Sequence, residues 1–186
     1  MTTILARRNA QDLHSTAGID LDHYHRKMNK KSKVVPSAYR DLARIHTLFF
    51  HDVGSSLTEP SLGVSMSRCS YKGEGVEFRH SCVNNLLPPH LQSHGNSSHF
   101  RICWPGYESV HYTGVIKLAS TMGDLASQIA LTFSQFIDRH YKDFHEEEGV
   151  TGILLGPSGV QFGDVRLCSI FYDGLFWNME AEYVHD

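Results

Sequence analysis

From Met122 to Tyr141 the apolar residues recur with the period of an α-helix. Met122, Leu125, Ile129, Phe133, Phe136, Ile137 and His140 fall on one stripe, with Ala126 and Ala130 beside it. Ser127, Gln128, Ser134, Gln135 and Asp138 fall on the opposite side. Such a helix buries one face and wets the other, so the rest of the chain must offer the stripe an apolar surface, most simply a sheet. Thr121 precedes the run and Asp124 follows three residues later. This pair predicts an N-cap, and the acid suits the positive end of the helix dipole.

Much of the remaining chain alternates with a period of two. Leu62, Val64 and Met66 alternate with Gly63, Ser65 and Ser67, and Val76, Phe78, His80 and Cys82 alternate with Glu77, Arg79 and Ser81. The Gly-containing segment 71–75 between these runs predicts a hairpin of Leu62–Cys69 and Gly75–Val83. Further strands are expected at His99–Trp104, Val110–Leu118, Val150–Leu155, within Gln161–Tyr172 and at Leu175–Val184. Pro105-Gly106, Gly156-Pro157-Ser158-Gly159 and Asp173-Gly174 mark the turns. Residues 84–98 hold two prolines, three asparagines and three serines and predict the longest loop. Tyr39, Leu42, Ile45 and Phe49 fit a helix from Ala38 to about Thr47, although Leu48-Phe49-Phe50 would also suit the start of a strand. The fold class expected is α+β: a mainly antiparallel sheet of five to seven strands, covered on one face by the long helix.

Charge divides the chain. Residues 1–40 hold eight basic and three acidic groups, and the remainder holds nine basic and 17 acidic groups. We therefore expect a basic, mobile arm at 1–36 and a single α+β domain at 37–186. The net charge of −3 excludes a uniformly basic nucleic-acid coat, and no apolar run approaches the roughly 18 residues of a membrane span. The start, MTTILARRNAQD, lacks a signal-peptide core, which predicts an intracellular chain, cytoplasmic or nuclear, with its four cysteines reduced. The chain is histidine-rich, with 13 imidazoles, so its electrostatics should change strongly between about pH 7 and 5.

Trp104-Pro105-Gly106-Tyr107, then a strand, then Thr121, Leu125, Ala126, Ile129 and Ala130 followed by aromatic positions, resembles an uncharacterised protein family of mushroom-forming fungi (basidiomycetes). The likeness covers about 99–184. It implies an intracellular α+β domain and brings no catalytic residues with it.

Four constellations are candidates for function. His90, His94 and His99, flanked by Cys82 and Cys103, have the donor types of a transition-metal site but lie around a loop with nothing to preorganise them. Cys103 lies between a strand and a turn, where His111 or His140 could activate it as a nucleophile and Asp138 could orient the base. Trp104, Tyr107 and Tyr112 gather around one turn and are candidate binding residues, with Tyr107 the most exposed by its place past Pro105-Gly106. Gly152, Gly156, Gly159 and Gly163 are turn glycines rather than a phosphate cradle, because no GxxxxGK[ST] and no following helix accompany them. The expected function is a non-enzymatic interaction or scaffold domain without a cofactor. It would bind a protein partner or self-associate through a sheet edge or an aromatic surface. A nucleic acid or other polyanion on the basic arm is a secondary partner class. The alternative is a small enzyme or ligand-binding domain with a His/Cys-lined pocket between sheet and helix.

Overall fold

The computed structural model describes residues 32–35, 42–53, 62–92, 97–146 and 151–184, all within the unit Lys31–Asp186. Most of the segment read as an arm, with Arg7 to Lys31, lies outside the described residues, as do Tyr39, Arg40 and His94.

Among the described residues seven strands build one mixed sheet: β1 (Ser32–Val34), β2 (His46–Phe49), β3 (Val64–Ser65), β4 (Ser98–Arg101), β5 (Thr113–Ile116), β6 (Val165–Tyr172) and β7 (Trp177–Val184). The helices among the described residues are α1 (Met66–Ser70), α2 (Pro89–Gln92) and α3 (Met122–His140), with three short 3-10 turns. The main order is β2-β6-β7-β4-β5; β1 adds to β7, and β3 to β6. The long hairpin β6–β7 is therefore the spine, and shorter strands share each of its flanks. β4 runs parallel to β7 through Phe100↔Trp177 and Arg101↔Asn178, while the other pairings between described strands are antiparallel. This parallel pair makes the sheet mixed rather than purely antiparallel.

Alternation sorts the side chains of this sheet. Leu48, Phe100, Ile116, Val165, Leu167, Ile170, Trp177 and Ala181 are buried on the inner face. The buried side of α3 joins them in one core: Leu125, Ala126, Ile129, Ala130, Phe133 and Phe136 are all within 1% of full burial. Phe133 lies 5.1 Å from Trp104, ring to ring, and Tyr107 and Tyr112 meet Phe136 edge-on. Each such side chain removed from water contributes about 1.5–3 kcal/mol. Thr121 caps α3 as expected, its hydroxyl oxygen accepting from the Asp124 N–H at 3.1 Å.

Four sequence expectations are corrected. Leu62–Cys69 and Gly75–Val83 do not form a hairpin. Only Val64 and Ser65 are strand, Met66 opens α1, and the chain then turns through positive φ at Lys72, Gly73, Gly75 and Phe78. The reason lies at Gly73: a Cβ there would sit 2.2 Å from the Gly123 Cα, so the missing side chain lets this segment press onto the start of α3 instead of extending as a ribbon. The helix expected at Ala38–Thr47 is absent over its described part; Leu42–Arg44 are irregular and β2 begins at His46, because that stretch pairs with β6. Val150–Leu155 is not a strand over 151–155 apart from one bridge, Leu155↔Val160. Its backbone is bound instead to the Trp104–Tyr107 turn: Ile153 N–H to Pro105 C=O, and Ile153 C=O to the Trp104 indole. The long loop at 84–98 is partly helical, with a 3-10 turn at Val83–Leu86 followed by α2.

Candidate functional site

The aromatic cluster of the sequence is assembled, but as core. Trp104 is 1% exposed and donates from its indole to Ile153 C=O at 2.8 Å. Tyr107, expected to be the exposed member, is 3% exposed. Its hydroxyl donates to Tyr141 C=O and accepts from the Leu155 N–H at 3.1 Å. The Pro105-Gly106 turn folds Tyr107 back over the end of α3 rather than outwards. Burial raises its pKa, against the hydrogen bond from Leu155. Tyr112 is half-buried between Phe136 and His140.

The thiol constellation is not brought together. Cys103 points towards Asn178, its Sγ 3.9 Å from the amide oxygen. Burial pushes its pKa up to about 11 against the pull of Arg101, so it is a protonated thiol at neutral pH. His140 instead pairs with Asp143 at 2.8 Å, not with Asp138, and His111 is exposed in a left-handed conformation. Of the metal candidates, His90 and His99 are exposed, and His99 meets the Phe176 ring edge-on. Among the described residues no group of three or more His, Cys, Asp or Glu side chains could hold a metal ion.

The outer face of the sheet carries a polar network that the sequence did not reveal. Asp173 closes the β6–β7 turn by accepting from the Leu175 and Phe176 N–H groups at 2.9 and 2.8 Å. It also accepts from Arg101 at 2.7 Å and from the buried Asn178 amide at 3.0 Å. Burial works to raise the Asp173 pKa, but these donors outweigh it and hold the carboxyl below its ordinary value. One row along, the Ser169 hydroxyl and Arg44 both bond Glu180. Arg44 and Arg101 each lie 4.8 Å above a ring, Phe171 and Phe176. The described charges on this face are thus largely spent on one another. The alternation of Asn178 and Glu180 against Trp177 and Met179 is legible in the sequence and places both opposite the core; their partners Asp173 and Ser169 on that face are not.

Two concavities stand out among the described residues. One of about 240 Å³ has a floor of Leu91, Leu118, Tyr172 and Trp177 and a rim of Ser97, Ser98 and His99. The other, of about 160 Å³, lies beside β7 where β1 gives way to β4 and is lined by Cys103, Trp104, Met179 and Glu180 among others. Neither matches the His/Cys-lined pocket expected between sheet and long helix.

The two ends of the sheet differ. The β5 edge is blunted: Gln128 of α3 accepts from the Lys117 N–H at 2.7 Å just past the strand, and Lys117 itself is exposed. The β2 edge, His46-Thr47-Leu48-Phe49, preceded by Ile45 whose N–H donates to Tyr172 C=O at 2.9 Å, carries no Lys, Arg, Pro or carboxylate. It exposes Ile45 at 53% and Phe49 at 52%, with Leu175 of the neighbouring turn at 76%. Among the described strands only β6 pairs with it. Beside it, the His46 Nε2 and His51 Nδ1 atoms are buried with no partner among the described residues. The spacing of Ile45 and Phe49 suits a helix stripe, but the β-branched Thr47 and the Leu48-Phe49-Phe50 cluster favour the strand that forms.

No family model, curated protein or solved structure matches this chain.

Proposed function

We propose that this chain is a non-enzymatic interaction domain that presents the β2 edge of its sheet to a protein partner. The observation that carries this reading is the contrast between the two edges. An open strand edge offers a row of unpaired backbone groups, and folded proteins ordinarily protect it with charge, Pro or a cover. β5 has such protection from Lys117 and Gln128, whereas β2 has exposed apolar side chains in its place. Strand addition at such an edge draws affinity from main-chain hydrogen bonds and specificity from alternate side chains. The test is a titration with a capped peptide of Ile45–Phe50, followed by amide chemical shifts. Shifts are expected at residues 45–49; a titration that leaves these amides unmoved would refute the reading.

A second reading, a ligand-binding domain, is favoured by the concavity over Trp177, whose apolar floor and polar rim suit a small ligand. A fragment screen that moves the resonances of Trp177, Tyr172 and Leu118 while leaving β2 unchanged would favour it.

A further inference from the structure

We infer that the concavity over Trp177 takes a small, uncharged, largely apolar molecule whose carbonyl oxygen accepts from the Trp177 indole N–H. The inference rests on the ligand-binding reading of that concavity and names the chemistry of its ligand. Trp104 spends its indole N–H on Ile153 C=O, whereas the Trp177 indole N–H meets no acceptor among the described residues. An indole N–H in so buried a ring ordinarily finds a partner. His46, edge-on to the same ring, does not supply one, and its own Nε2 is unpaired. That nitrogen and His51 Nδ1 are the only side-chain polar atoms sealed from solvent without a partner among the described residues. The Trp177 N–H is therefore not sealed. It borders accessible space, and for a ring 1% exposed that space is the concavity it lines.

An indole nitrogen only donates, so the ligand atom opposite it must be an acceptor. The walls set the rest. Leu91 and Leu118 are buried, and the Tyr172 ring packs 5.5 Å from Trp177 with its hydroxyl donating to Gly174 C=O. No Lys, Arg, Asp or Glu lines the space of about 240 Å³. Asp173, next in sequence to Tyr172, is bonded to Arg101 and Asn178 instead. An ionised ligand would lose hydration there with no opposite charge to replace it. A carbonyl oxygen loses less, regains a hydrogen bond and brings no proton of its own that would need an acceptor. Ser97, Ser98 and His99 at the rim supply polar groups for a second oxygen, and Leu175 adds apolar surface. A lining of this kind suits one or two fused rings with few polar atoms.

Proton NMR titration of the full chain with coumarin, naphthalene and naphthoate tests the inference. Coumarin carries a carbonyl on a neutral fused ring, naphthalene lacks it, and naphthoate is an anion. Coumarin should bind saturably and move the Trp177 indole proton downfield while that of Trp104 stays in place. Naphthalene should bind without the downfield shift, and naphthoate should bind at least about tenfold more weakly than naphthalene. Trp177→Phe keeps an aromatic wall and removes the donor. It should weaken coumarin about fivefold and leave naphthalene within about twofold. Coumarin binding with no downfield shift at Trp177, equal weakening of both ligands in Trp177→Phe, or naphthoate bound as tightly as naphthalene would overturn the inference. The indole shift is read on the unaltered chain, so the test stands even where the variant fails to fold. If naphthalene binds over Trp177 but coumarin does not engage the indole, the concavity remains a ligand site and the inferred chemistry falls. If none of the three binds, the ligand reading and the inference both fail.

Discussion

Burial governs the chemistry of the thiols. It pushes Cys69 and Cys168 up to about 12, against the pull of Arg68 and Arg166 respectively, and Cys103 up to about 11. Because the thiolate is the reactive form, Cys82, which is exposed, should take up iodoacetamide at pH 7.5 well before the other three, as peptide mass mapping would show. The raised values also set a direction for stability. The folded state keeps these protons while the unfolded chain loses them from about 9.0 upward, so stability should be full below pH 9 and fall between pH 9 and about 12. Asp173 acts at the other end of the scale. Its depressed pKa means stability that is present above 3.8 and lost as pH falls through the folded value. Asp173→Asn should therefore cost about 2 kcal/mol at pH 7 and flatten the acid limb of urea midpoint against pH. At this scale the sequence spoke unevenly. Trp104, a candidate binding residue by its place at the turn, also falls in phase with Phe100 and Ile102, and that phase fits its burial. The burial of Tyr107 was not legible, because it depends on the Tyr141 and Leu155 backbone, 34 and 48 residues away.

Among elements, α3 was the most legible, since nineteen residues of one period leave no competing geometry. Phe133→Ala, at a fully buried position, should cost about 3–5 kcal/mol by urea denaturation. Thr121→Ala should cost about 1 kcal/mol through loss of the cap. A cost near zero for Phe133→Ala would mean that the stripe does not face the core. The hairpin at 62–83 misled because its alternation is met by only two strand residues; Met66 and Cys69 are buried at a helical spacing of three. Local pattern could not show that Gly73 would meet Gly123, fifty residues on, and turn the segment against α3. The strands β6 and β7 were legible because Asp173-Gly174 marks their turn and Asp173 closes it with two hydrogen bonds of its own.

For the whole molecule, the α+β class followed from the mixture of periods, but strand order did not. β4 lies parallel to β7 although seventy-five residues and α3 separate their ends, and no short-range signal records that pairing. Which described strands would be edges was hidden for the same reason, and with it the difference between β5, which Lys117 follows, and β2, which exposes Phe49. No described helix is long and apolar enough to cross a membrane. Residue-resolved amide hydrogen exchange with and without the capped Ile45–Phe50 peptide tests the role of the β2 edge most directly. Thr47 and Phe49 should exchange freely without the peptide and gain protection with it, while Thr113 and Val115 on the β5 edge stay unchanged. Protection that is independent of the peptide, or that grows at β5 instead, would contradict the assignment of β2 as the surface through which the chain binds a partner.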